Sequence, residues 1–257
     1  MFWLATSVNP AVAEERSDLV AYDHDQFTTL LQGLESVRPA PRVVLLSSGG
    51  TVYDPAEQPP YREDSPIRAT TAYARAKVEL ERALLGSDLP NGRKVVVRAA
   101  NAYGPGQPAR RGQGVIAYWL NAVRRGDPPV LLGDRETVRD YVYIEDLVDA
   151  LITVHESSAA VPPVLNVGSG RSTSLGELSE IVLAAVGDPK LTFEHRPARS
   201  FDRPSTWLDI QLAGRTLGWQ PTTPMADGVA SAWRHLQSHG PDPTPAPPSR
   251  TPTATRS

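Results

Sequence analysis

Residues 42–53 read Arg-Val-Val-Leu-Leu-Ser-Ser-Gly-Gly-Thr-Val-Tyr, and residues 73–77 read Tyr-Ala-Arg-Ala-Lys. The first stretch is a short apolar run that stops in Ser47-Ser48-Gly49-Gly50, the pattern of a buried strand running into a turn. Upstream, Leu19, Val20, Phe27, Leu30, Leu31, Leu34 and Val37 recur at helical spacing within residues 14–37. Downstream, Val78, Leu80, Leu84 and Leu85 mark a second helix that leads to Val95-Val96-Val97-Arg98. Wholly apolar strands alternating with helices of this length predict an α/β fold, a parallel sheet with helices on both faces.

Beyond Gly104-Pro105-Gly106 the elements shorten and mix. The pattern predicts a helix near 115–125, strands near 130–132, 138–144 and 164–167, and helices near 145–157 and 175–186. We therefore expect residues 1–105 to form part of a Rossmann-like domain and residues 106–238 a smaller mixed α/β lobe, partly interleaved with it. Residues 239–257 hold six of the chain's 25 prolines and no Leu, Ile, Val or Phe, the composition of a disordered tail.

Composition narrows the function classes. The chain has 257 residues, room for one large domain or a domain plus a lobe. With 26 Lys and Arg against 29 Asp and Glu, its net charge of −3 offers no basic field for nucleic acid or an anionic membrane. The absence of cysteine removes disulfides, thiolate nucleophiles and thiolate metal sites, and the five histidines show no ligand-like spacing, so no metal centre is expected. The longest apolar runs are a few residues, and Met1-Phe2-Trp3-Leu4-Ala5 lacks the charged lead of a signal peptide. A cytoplasmic protein is the expectation.

Tyr73 and Lys77 lie four apart at the start of a helix and share one face. Alone, that is a common pattern on exposed helices. It gains weight from the turn at 47–53, which follows a buried strand where open parallel sheets place their ligands. Further stretches follow in order: Leu4-Ala5-Thr6-Ser7 with Asn9-Pro10, Arg98 to Gly106, Gly133-Asp134, Thr137 to Val142, Asn166-Val167-Gly168-Ser169-Gly170, Arg199 with Asp202, and Leu217-Gly218-Trp219. From about Leu4 to about Ala232 the chain resembles the extended short-chain dehydrogenase/reductase superfamily, specifically its NAD-dependent nucleotide-sugar epimerase/dehydratase family, with UDP-glucose 4-epimerase-like features.

The resemblance implies NAD as cofactor and a nucleoside-diphosphate sugar as substrate, epimerised at C4 through a transient keto sugar; UDP is the commonest nucleotide of the family, with CDP, GDP and dTDP sugars left open. Tyr73 would be the base. Lowering a phenol from about 10 to about 7 takes ~4 kcal/mol, which a cation at ~4 Å supplies at an effective dielectric near 20; Lys77 and the nicotinamide ring would provide it. Lys77 would also hold the nicotinamide ribose, and Ala5, Ser47, Tyr73, Lys77 and Ala100 would line the cofactor site. Where the family carries a catalytic Ser or Thr this sequence has Gly49, so Thr51 or Ser48 would replace it. The acidic pair of the related dehydratases is matched by Gly50 and Thr51, which disfavours dehydration.

In the second lobe the resemblance implies that Asn101, Arg139 and Arg199 contact the diphosphate and Asp202 the nucleotide ribose. Gln113-Gly114-Val115-Ile116 and Val130-Leu131-Leu132 would pack around the base, and Thr206 would leave room beside the sugar's C2 substituent. Family members often dimerise through the Tyr73 helix and the helix before it, so a homodimer is expected.

One family landmark is missing from this sequence. No Gly-x-x-Gly-x-x-Gly turn follows an apolar strand, and Asn166 to Gly170 lies too late in the order to serve. The expectation is a partial Rossmann-type sheet whose first strand-helix units are absent, with Phe2 to Ala5 as a strand from the middle of a sheet. Three readings follow: part of an active NAD-dependent epimerase, a noncatalytic nucleotide-sugar-binding relative, or one subunit of a split enzyme. An uncovered sheet edge predicts marginal stability and weak or no NAD affinity.

Overall fold

The computed structural model describes residues 1–4, 6–109, 114–197 and 205–239. The expected tail lies outside these residues, apart from His239. Strands β1 (Phe2–Trp3), β2 (Val43–Ser48) and β3 (Lys94–Ala99) run parallel, and helices α1 (Pro10–Glu15), α2 (Ser17–Glu35) and α3 (Ala72–Gly86) connect them. After them come β4 (Asn101–Tyr103), α4 (Val115–Arg124), β5 (Val130–Leu132), β6 (Val138–Arg139), β7 (Tyr141–Tyr143) and α5 (Ile144–Glu156). The chain continues through β8 (Val164–Val167), β9 (Thr173–Ser174), α6 (Leu175–Val186), β10 (Glu194–Arg196), β11 (Ser205–Thr206), α7 (Gln211–Leu217) and α8 (Met225–Ser238).

The main sheet has the order β1-β2-β3-β8, all parallel, with β1 at its edge among the described residues. Side-chain alternation along β2 and β3 divides the core. Val43, Leu45 and Val96 pack with Phe27 and Leu31 of α2 and Leu80 and Leu84 of α3, while Val44, Val95 and Val97 pack with Leu147, Leu151 and Val154 of α5 and Ala213 of α7. Each such side chain contributes roughly 1.5–3 kcal/mol by leaving water, so both helical layers are fixed to the sheet. A separate core of Trp119, Leu120, Leu131, Leu178, Val182 and Val229 builds the second lobe from α4, α6 and α8.

Two expected elements differ in detail. The helix anticipated over 14–37 begins earlier and breaks at Arg16: Asn9 caps α1 by accepting from the Val12 amide at 2.9 Å, with Pro10 at the first helical position where its missing N–H costs nothing. The strand anticipated over 138–144 is split into β6 and β7 by Asp140. That carboxylate turns inward, accepting from the Ser169 amide at 2.8 Å, the Ser169 hydroxyl at 2.7 Å and the Leu208 amide at 3.2 Å. Gly168 is required beside it, because a Cβ there would stand 2.5 Å from Asp140 Oδ2. Strand β8 returns to the main sheet beside β3.

Candidate active site at the ends of β2 and β3

Strand β2 ends in the turn 48–53, and α3 starts beside it. Thr71 caps α3 by accepting from the Ala74 amide at 3.1 Å, which sets Tyr73 and Lys77 in its first two turns. Lys77 is 6% exposed; its Nζ donates to Leu46 O at 3.2 Å and lies 5.6 Å from the centroid of the Tyr73 ring. Burial pulls the ammonium down to about 8, opposed by the charges of Asp23 and Glu81. Tyr73 is half-buried, and its hydroxyl has no hydrogen-bond partner among the described residues. The expected lowering of this phenol is not a property of the chain alone: burial pushes it up to about 12, and Lys77 does not offset this.

Gly49, at the position where a hydroxyl was expected, is packed. A Cβ there would meet Leu208 Cδ1 at 2.6 Å, Leu208 Cδ2 at 2.9 Å and the Arg98 carbonyl at 3.1 Å. Ser48 and Thr51 remain in the turn as half-buried residues, the Thr51 hydroxyl itself being buried.

Behind the turn sits a charged network that the sequence reading did not anticipate. Arg98 of β3 and Glu81 of α3 pair at 2.7 Å, each 4% exposed in its side chain. Arg98 also donates to the Tyr53 hydroxyl at 3.1 Å, and that hydroxyl donates to Asn166 Oδ1 at 2.6 Å. Ser47 donates its hydroxyl to Glu81. Ser47, expected at the cofactor, thus has its hydroxyl engaged inside the protein. Ala100 lies half-buried just past β3, its amide donating to Val167 O at 2.8 Å.

The expected nucleotide-sugar residues are dispersed by comparison. Asn101 is exposed, its Nδ2 donating to Asp140 O at 2.9 Å, and Arg139 is half-buried with Nη1 donating to Val138 O at 2.8 Å. Thr206 pairs with Arg139 across β11 and β6 and is 3% exposed, so it presents little surface to a sugar. Val115 is half-buried at the start of α4. Leu131 and Ile116 are buried in the core shared by α4, α6 and α8. Ala5, Gln113, Arg199 and Asp202 lie outside the described residues. Among the described residues no group of His, Asp and Glu is placed to hold a metal, and no helix is long and apolar enough to cross a membrane.

A cavity between α2 and α3 opens onto this centre, lined by Thr6, Val8, Asp23, His24, Tyr73 and Lys77. The cavity is water-sized, and it is the donors beside it that suit the ribose hydroxyls of NAD: Lys77 has spent one of its three N–H donors on Leu46, and the Tyr73 hydroxyl is uncommitted within the protein.

Residues 3–168 match the model of the NAD dependent epimerase/dehydratase family. A UDP-glucose 4-epimerase of Mycolicibacterium smegmatis is 35% identical over 195 residues, which cover 74% of this chain and 60% of that protein. A dTDP-4-dehydro-6-deoxyglucose reductase of Escherichia coli is 33% identical over 190 residues, 73% of this chain and 59% of that one. Among solved structures, the UDP-glucose 4-epimerase of Thermotoga maritima with UDP-glucose superposes with a TM-score of 0.81 at 26% identity, covering 92% of this chain and 76% of that one. An NAD dependent NDP-hexosamine 5,6-dehydratase of tunicamycin biosynthesis gives 0.80 at 28% identity, covering 93% and 77%. The chain spans about 60% of the length of the first two relatives.

Proposed function

Because the chain belongs to the NAD dependent epimerase/dehydratase family, we propose that it performs, or forms part of a protein that performs, C4 epimerisation of a UDP-linked hexose with Tyr73 as the proton-transfer group. The observation that carries this reading is the Tyr73 hydroxyl. It has no partner among the described residues, whereas the neighbouring buried Tyr53 hydroxyl is held by Arg98 and Asn166. The hydroxyl belongs to a half-buried ring on the cavity lining, where it is open to a ligand.

NAD, when bound, supplies reversible acceptance of a hydride from the sugar carbon. Tyr73 takes the proton of the sugar hydroxyl and returns it, and Lys77 keeps positive charge beside the ring. Burial holds the phenol at about 12 in the chain alone, so proton uptake requires additional positive charge at the site. Ser48 or Thr51 orients the hydroxyl, since Gly49 brings no side chain and Leu208 fills the space it would occupy. Gly50 and Thr51 carry no carboxylate for a dehydration step. Asn101 and Arg139, with Arg199 and Asp202, hold the diphosphate and ribose in this reading. Pairing of two copies through α2 and α3 belongs to it as well, and Tyr22 of α2, 55% exposed, is available for that contact.

The test is a product assay by NMR with UDP-glucose and UDP-galactose and added NAD, run on this chain and on a version extended upstream in its reading frame. Interconversion of the two hexoses supports the reading. Nucleotide-sugar binding by calorimetry with no interconversion in either protein would replace it with noncatalytic binding.

A further inference from the structure

Asp23 lies near the middle of α2 and is 8% exposed. Its Oδ2 accepts from Thr6 Oγ1 at 2.9 Å and from the Ser7 amide at 2.7 Å. Both donors are neutral, and no ion pair involves Asp23 among the described residues. Thr6, Asp23, Tyr73 and Lys77 line one cavity, which brings a carboxylate, an ammonium and a phenol into the same enclosure.

The other charges near Lys77 have partners or face solvent. Glu81, one turn further along α3, is bound by Arg98 from β3 at 2.7 Å and by Ser47 from β2, which neutralises it locally. His24 of α2 stands 3.8 Å from Asp25, and Glu79 of α3 is exposed at the cavity's rim. Strand β2 contributes only the neutral Leu46 carbonyl. Asp23 is therefore the buried anion whose field reaches Lys77 without a cation of its own, and of the two anions that favour the charged ammonium it is the stronger.

We propose that Asp23 is a positioning residue for the proton-transfer pair, its carboxylate keeping the Lys77 ammonium charged and seated between Leu46 and the Tyr73 ring, an inference that rests on the reading of Tyr73 and Lys77 given above. Thr6 and Ser7 hold the carboxylate in place from the segment that follows β1. Without that anion, burial of Lys77 is opposed by Glu81 alone, itself paired with Arg98, and a neutral amine offers no charge to a phenolate.

The chain has three lysines, Lys77, Lys94 and Lys190, so protein labelled with 13C at the lysine ε carbon gives a titration curve for each. Lys77 is assigned by the loss of its signal in Lys77→Arg. A single carboxylate facing the same cavity as an ammonium, at an effective dielectric near 20, moves it by on the order of one pH unit. Asp23→Asn is expected to lower the Lys77 midpoint by about that amount, with Asp23→Glu restoring it and Lys94 and Lys190 unmoved. Should Asp23→Asn fail to fold, Asp23→Ser keeps an acceptor near Thr6 without the charge and is read the same way. An unmoved Lys77 midpoint in a folded, uncharged variant overturns the proposal. The titration needs neither NAD nor sugar, so its failure is distinct from failure of the epimerase assay.

Discussion

Placing a serine at position 49 would supply the hydroxyl that the family resemblance leads one to expect, and the structure says that it should not fit. Carbon atoms in contact normally lie about 3.5–4.0 Å apart, whereas a Cβ on residue 49 would stand 2.6 Å from Leu208 Cδ1 and 3.1 Å from the Arg98 carbonyl oxygen. The leucine has little freedom to retreat. It is 2% exposed and packs among Val52, Tyr53, Tyr61 and Val78, and the Arg98 carbonyl belongs to β3. Overpacking of this kind costs about 1–3 kcal/mol. In urea, with a dependence of about 1–3 kcal/mol per molar, a loss near 2 kcal/mol moves the unfolding midpoint down by about 1 M, which the tryptophan fluorescence of the chain can report. Leu208→Ala alone should cost about 2–5 kcal/mol through the cavity it leaves. The double variant Gly49→Ser/Leu208→Ala should lose less than the sum of the two, by about 1 kcal/mol or more, because the serine then enters space already vacated. An unchanged midpoint for Gly49→Ser, or strict additivity in the double variant, would refute the argument that Leu208 excludes a side chain at 49.

Arg98→Met should destabilise by about 3–5 kcal/mol, since it strands Glu81 as a buried charge, and pairing it with Glu81→Leu should recover much of the loss in the same urea assay. In the upstream-extended protein, Tyr73→Phe should abolish hexose interconversion while leaving UDP-glucose affinity by calorimetry within about twofold, since the hydroxyl acts in the chemical step. Lys77 falls from 10.5 unfolded to about 8 folded, so between these values the unfolded chain binds the extra proton and stability rises with pH. Tyr73 is shifted the other way, from 10.0 to about 12, so the unfolded chain loses that proton first and stability falls again above about pH 10. Urea midpoints at pH 8, 9 and 10 should climb in the native sequence and lose this climb in Lys77→Met; equal slopes in both would contradict the burial of an ammonium at 77.

The parts of the fold that could be read in advance are those whose signal is periodic and local. Val43 to Leu46 and Val95 to Val97 are apolar without interruption because both faces of the sheet are covered, and α2 and α3 repeat their apolar residues against it. Asp140 could not be read this way. Its break in the strand serves Ser169 and Leu208, which lie 29 and 68 residues later, and nothing nearby announces them. Strands β9 and β11 are two residues long and leave no pattern, but α8 had one: Met225, Val229, Ala232, Trp233 and Leu236 follow helical spacing into the second core.

The site divides along the same line. Tyr73 and Lys77 were visible as an i, i+4 pair. Asp23 had a fainter signal, an acid set three residues after Val20 and four before Phe27 on a row that is otherwise apolar, which requires either a partner or a purpose. Glu81, Arg98, Tyr53 and Asn166 come from four separate stretches, and only the folded sheet brings them together.

The seating of Leu208 over Gly49 bears on how the protein could be re-engineered. Leu208 is fixed at its amide by Asp140 and is bridged to Tyr61, with the Tyr61 amide donating to Trp207 O at 2.9 Å and the Asp209 amide to Tyr61 O at 2.8 Å. Residues 48–53 and 205–209 therefore form a matched set although some 150 residues separate them. A catalytic turn transplanted from a relative will fit this scaffold only if its partner segment travels with it, and recombination crossovers placed between the two will join halves whose surfaces disagree.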